Sequence, residues 1–327
     1  MHTNRPPNGT SGGHRSTSHR DDLLVVDARF YQSNHHSAET TAVALDELAR
    51  AWNESAMTTE TSFRAKYGPW ALIAGAAVGL GAQYADQIAA RGLNLVLLDR
   101  DGDPLRITAD EIRSRHGVQV RPAVIDLARA DLVAALRPQV VDIEIGLLVY
   151  NAAIGTVAPF LDITPAHCDT MIDVNCRGPI RLAQALVPAM VQRKRGGLIL
   201  MSSLSGNYGS AQLAIYAASK AFTLVFADAL WAELREHGVD VLAVQPGSTR
   251  TPGWLSSQHA GEEMPAMEPA DVVREALATL GVEPNVVAGE MNRLGAAALA
   301  GMPRRQAIEL VSEITAKLVR NDGPSRS

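Results

Sequence analysis

Cysteine, lysine and long apolar runs are what this sequence has least of. Two cysteines occur in 327 residues, Cys168 and Cys176, both in a stretch that reads as helical. They form no metal-ligand pattern and no disulfide framework, so buried free thiols in a reducing compartment are expected and a metal site is not. No apolar run reaches the roughly 18 residues that a bilayer span needs. Residues 1–22 lack the apolar core of a secretory signal. Acids and bases nearly balance, 35 against 30, for a formal net charge of -5. That excludes a broad basic face for nucleic acid. A cytoplasmic protein with neither a nucleic-acid partner nor a membrane span is the expectation.

What is present divides the chain. Residues 1–22 are rich in Gly, Ser, Thr, Asn, Pro and His and read as a disordered tail. Residues 23–67 form an extension in which Ala38 to Ser55 has the pattern of an amphipathic helix. From residue 68 to about 290, short apolar runs alternate with helical patterns, which predicts a doubly wound parallel α/β sheet, a Rossmann fold, in one domain. Residues 291–327 read as a helical tail, with one amphipathic helix over Pro303 to Val319.

Chemistry concentrates at the ends of the expected strands. The run Trp70 to Ala74 enters Gly75-Ala-Ala-Val78-Gly79-Leu80-Gly81, glycines that permit a tight turn and let backbone N–H groups approach a pyrophosphate. Asp99 stands 18 positions beyond Gly81 at the end of a second strand, where a carboxylate can bond a ribose 2′-hydroxyl. The same charge repels a 2′-phosphate, which places NAD(H) ahead of NADP(H), although Arg100 could instead bind that phosphate. Asp126-Leu127 and Asn151-Ala152-Ala153 sit at further strand ends, Asp126 within reach of adenine or serving as a helix cap, and Asn151 to Ala153 lining the sugar.

Tyr216 and Lys220, four residues apart, share one face of a predicted helix, and the chain holds only four lysines. An ammonium beside a phenol favours the phenolate and makes the group a usable acid or base. Ser203, at a strand end, could bring a hydroxyl to the same place. Such a trio can hold a carbonyl oxygen and exchange its proton.

Together these motifs resemble the short-chain dehydrogenase/reductase family over about residues 68–290. The family's Thr-Gly-x-x-x-Gly-x-Gly stands here as Ala74-Gly75-Ala-Ala-Val78-Gly79-Leu80-Gly81, and its Asn-Asn-Ala-Gly as Tyr150-Asn151-Ala152-Ala153. Asn175 matches the family's helix asparagine, Ser203 precedes Tyr216 by the required 13 residues, and Pro246-Gly247-Ser-Thr249-Arg-Thr251 matches the Pro-Gly motif. The resemblance implies a secondary alcohol–ketone oxidoreductase. Tyr216 would be its general acid and base, Ser203 would orient the substrate oxygen, and Lys220 would hold the nicotinamide ribose while lowering the tyrosine pKa. Asn175 would support a proton-relaying water, and Pro246 to Thr251 would seat the carboxamide. It also implies a homodimer or homotetramer through the Tyr216 and Asn175 helices. Ile154, Leu204, Tyr208 and the segment Pro252 to Met267 are placed to wall a pocket for an apolar alcohol or ketone. The other readings are a dinucleotide-binding sensor or scaffold without turnover, and an epimerase or dehydratase on the same fold.

Overall fold

The computed structural model describes residues 62–256 and 265–319. All belong to one compact unit, Ala56–Ser327. The expected tail, the amphipathic helix of Ala38 to Ser55 and part of the segment Pro252 to Met267 lie outside the described residues.

A short helix, α1 (62–67), leads into β1 (Trp70–Ala74), α2 (Gly79–Ala90), β2 (Asn94–Asp99), α3 (Gly102–His116) and β3 (Val120–Val124). Next come α4 (Leu132–Val140), β4 (Ile145–Tyr150) and α5 (Pro165–Ile172). A π-helical turn, Asp173–Arg177, joins α5 to α6 (Gly178–Arg193). After β5 (Gly196–Met201) the chain makes α7 (Ala214–Leu234), β6 (Val239–Gln245), a short α8 (Pro252–Ser256), α9 (Pro269–Thr279) and β7 (Asn285–Val287). Two helices close it, α10 (Glu290–Ala300) and α11 (Arg304–Val319), the first of which the sequence pattern did not resolve as a separate helix.

The seven strands are all parallel in the order β3-β2-β1-β4-β5-β6-β7. The strand order reverses between β1 and β4, so a crevice opens where their carboxyl ends diverge. Pro122, which has no N–H to donate, is accommodated because β3 is an edge strand. Alternate strand residues feed two apolar layers: Ala71 and Ile73 pack under α2, α3 and α9, while Leu72 and Ala74 pack under α4, α6 and α7. Tyr67 of α1 joins the first layer and donates to Asp240 Oδ2 at 2.5 Å, which ties α1 to β6.

The stretch Ala214–His237 is long and apolar enough, by length and composition, to cross a membrane. In this fold it lies against the sheet instead, burying Ala217, Thr223, Ala227 and the charged Lys220 there.

Candidate active site

The glycine turn is built by close backbone approach. Gly75 adopts φ +80°, and a Cβ there would stand 2.7 Å from Ala152 Cα. Only glycine therefore lets β1 and β4 end side by side. Ala74 O accepts from Asn151 N (3.0 Å) and Ala152 N (2.9 Å), while Asn151 Nδ2 donates to Gly75 O (2.8 Å). Asp99 braces the turn from β2: Oδ2 accepts from Ala77 N at 3.0 Å and Oδ1 from Asp101 N at 3.2 Å.

Beside this turn lies a cavity of about 350 Å³. Gly75, Val78, Gly79 and Leu80 form its floor, Asp99, Arg100, Asp126 and Leu127 one wall, and Asn151, Ala152, Ala153 and Ile154 another. Thr251 closes it, its methyl carbon 3.1 Å from where a Cβ on Gly79 would stand. Gly81 lies beneath, in contact with the Gly75 carbonyl, and supports the turn rather than lining the cavity. Asp126 also caps its own turn, accepting from Ala128 N at 2.9 Å. A glycine-rich turn at a helix start, with carboxylates across from it, fits a dinucleotide.

The rest of the Pro-Gly motif does not line this cavity. Pro246 O accepts from Leu204 N (3.2 Å), Gly247 packs on Asn292, and buried Thr249 donates to Gly247 O (3.1 Å) and bridges to Met267. Those residues brace the neighbouring loop, because Met267 and Asn292 fold back onto them.

Ser203, Tyr216 and Lys220 converge where β5 ends. Ser203 caps a 3-10 turn, its Oγ accepting from Ser205 N at 3.2 Å, and its hydroxyl lies near enough to the Tyr216 phenol to lower the phenol's pKa. Lys220 is buried, donates Nζ–H to Met201 O at 2.7 Å, and lies 5.6 Å from the Tyr216 ring centroid. Ser202 points the other way and donates to Lys220 O at 2.8 Å, which pins α7 to β5.

The electrostatics depart from the expected pattern. Desolvation pushes the Tyr216 phenol above its usual value and outweighs the Ser203 hydrogen bond, which lowers it. Burial brings Lys220 from 10.5 down to about 8, with Cys176 opposing. The Lys220 Nζ donates to the Met201 carbonyl and not to the phenol oxygen.

Asn175 occupies the π turn, buried, with both amide functions engaged. Its Oδ1 accepts from Ile154 N (2.8 Å), and its Nδ2 donates to Ile154 O (2.9 Å) and Ser219 Oγ (3.0 Å). Ser219 in turn donates to Tyr216 O at 2.7 Å. Asn175 is thus a clamp between the loop after β4 and the helix that bears Tyr216 and Lys220. Sequence reasoning missed Ser219, although it lies within the Tyr216–Lys220 window. It also missed the Tyr150 hydroxyl, which donates to Val174 O at 2.6 Å; no local pattern marks that contact.

Residues 69–260 match the family model described as short chain dehydrogenase. A 7beta-hydroxysteroid dehydrogenase of Clostridium sardiniense is 31% identical over 234 residues, 71% of this chain and 90% of that protein. A very-long-chain 3-oxoacyl-CoA reductase of Anas platyrhynchos is 32% identical over 221 residues, 66% and 70% of the two chains. Among solved structures, a 7beta-hydroxysteroid dehydrogenase superposes with a TM-score of 0.73 at 29% identity, covering 76% of this chain and 98% of its own. A short-chain dehydrogenase from Sphingobium yanoikuyae in complex with NADPH gives 0.63 at 30% identity, covering 80% and 98%. Sharing that model over more than half its length, and that fold throughout its sheet, this chain belongs to the short-chain dehydrogenase/reductase family.

Proposed function

We propose that the protein interconverts a secondary alcohol and a ketone, with NAD(P)(H) in the crevice between β1 and β4 as the hydride acceptor or donor. The observation that carries this reading is the meeting of Ser203, Tyr216 and buried Lys220 at one strand end, alongside the glycine-turn cavity. Tyr216 gives its phenolic proton to the carbonyl oxygen in reduction and takes it back in oxidation. Ser203 orients that oxygen and stabilises its developing charge. Lys220 binds the ribose, and Asn175 fixes Ile154 beneath the reacting groups. Positioned acid–base catalysis of this kind contributes about 10²–10⁴-fold.

Of the two dinucleotides, the reading favours NAD(H), since Asp99 stands in the cavity wall where a 2′-phosphate would meet its charge. Arg100, exposed in the same wall, is the group that could reverse this, and two similar proteins were solved with NADPH or NADP. An apolar, bulky substrate is supported by the relatives' names, steroid and long-chain 3-oxoacyl enzymes among them. The reading extends to a homodimer or homotetramer through α7, and to a reducing cytoplasm suited to two free cysteines.

Tyr216→Phe tests the mechanism. Carbonyl turnover is expected to fall by at least about 10²-fold while dinucleotide titrations stay near those of the unaltered chain. Near-normal turnover would remove Tyr216 from the reaction. Separate titrations with NADH and NADPH decide the cofactor.

A further inference from the structure

A second cavity, about 530 Å³, opens between the loop after Ser203 and α10. It lies over the carboxyl ends of the last two strands, with Gln245 of β6 and Val287 of β7 in its wall. Its wall includes Leu204, the residue that follows Ser203 in the chain. The size falls within the roughly 300–1,000 Å³ of ligand pockets, and such pockets pair apolar walls with a few fixed polar groups.

The walls are held rigidly. Tyr208 donates its hydroxyl to Leu299 O at 3.0 Å, Ser210 and Thr315 share a hydrogen bond of 2.7 Å, and Ala211 N donates to Ser312 Oγ at 3.0 Å. The room comes from the run Gly295 to Ala298, which presents no large side chain, and a Cβ on Gly295 would meet nothing within 4 Å. Inside, Asn207 donates to the Oε1 of buried Gln245 at 2.9 Å. At the rim, the Arg304 guanidinium stacks over the Tyr208 ring, 5.8 Å from its centroid. Among the described residues Arg304 makes no ion pair, whereas its neighbour Arg305 binds Glu309 at 2.8 Å. The chain's net charge is -5, so an anion is attracted here by local charge and not by the protein's overall field.

We infer that this cavity takes the distal part of an apolar ketone that ends in a carboxylate, and that Arg304 at the rim binds that carboxylate. The inference rests on the hydride-transfer reading and deepens it. A planar guanidinium meets a carboxylate through two parallel hydrogen bonds, which gives direction as well as attraction. Stacking on Tyr208 holds the guanidinium in place before the ligand arrives. The substrate would lie with its carbonyl at Tyr216, its body along Leu204 and Ala296, and its charge at the start of α11.

The test uses the full chain with matched pairs of extended apolar keto acids and their methyl esters, together with a short neutral ketone. Arg304→Ala is expected to raise KM for the acids by tenfold or more, with kcat and the esters unchanged. Gly295→Leu, which adds bulk at a wall position where a Cβ meets nothing within 4 Å, is expected to raise KM for both long substrates and spare the short ketone. Calorimetric titration with the keto acid reads the same site without turnover and should weaken to match in both variants. Equal effects of Arg304→Ala on acid and ester, or unchanged keto-acid binding in either variant, would overturn the inference. Failure of the unaltered chain to reduce any ketone would strike the hydride-transfer reading instead, while the calorimetry would still decide the cavity.

Discussion

Tyr150 stands where the family motif carries its first asparagine, and its buried hydroxyl donates to the Val174 carbonyl inside the π turn that bears Asn175. The arrangement depends on Gly178, where a Cβ would fall 2.0 Å from the Tyr150 hydroxyl oxygen. Gly178→Ala should therefore destabilise the protein by about 1–3 kcal/mol through overpacking. Adding Tyr150→Phe should recover part of that loss, read as the urea midpoint of the single and double variants. Lys220 offers a second residue-scale expectation. Its pKa falls from 10.5 unfolded to about 8 folded, so between those values the unfolded chain binds the extra proton. Stability contributed by this residue then rises with pH across that window, at up to about 1.4 kcal/mol per pH unit. Burial also raises the Cys176 thiol from 9.0 and the phenols of Tyr67, Tyr84, Tyr150 and Tyr216 from 10.0, all of which act in the opposite sense, so the lysine is read as the difference between the unaltered chain and a Lys220 variant in melting curves between pH 8 and 9.5. Lys220→Met should flatten the rise; parallel slopes in the two proteins would contradict it.

At the scale of elements, the glycine turn and the helix it opens were legible in advance, because the turn's spacing and the strand before it are local features. The reason for Gly75 was not. It lies in the approach of Ala152 from β4, 77 positions later, which only the pairing of β1 with β4 creates. Gly75→Ala should push that loop off the Ala74 carbonyl and weaken dinucleotide binding by at least tenfold, as read by fluorescence titration, with the far-ultraviolet circular dichroism of the sheet and helices kept. The Pro-Gly motif behaves differently. Its spacing pointed to the cofactor, yet only Thr251 reaches the cavity wall, since Met267 and Asn292 engage the remainder. Residues that return from distant segments leave no periodic trace.

For the molecule as a whole, α7 is the element with two duties. One side packs on β5 and β6 and carries Lys220 and Ser219, while Val225 on the other remains 68% exposed and Phe222 stacks on Phe226 at 5.5 Å. An apolar face of this kind suits a second copy of the chain. Val225→Asp is expected to shift light scattering toward the monomer without loss of secondary structure; an unaltered mass for both proteins would argue against pairing through α7.

Strand and helix alternation, the glycine turn, and the spacing of Ser203, Tyr216 and Lys220 are properties of neighbouring residues, and the sequence alone determined them. The strand order 3-2-1-4-5-6-7 and the grip of Asn175 on Ile154 are decided by segments that meet only after the sheet forms. So is the cavity under α10, which exists because α10 and α11 fold back over the loop after Ser203. Local pattern records which face of an element is apolar, and the tertiary structure selects what that face meets.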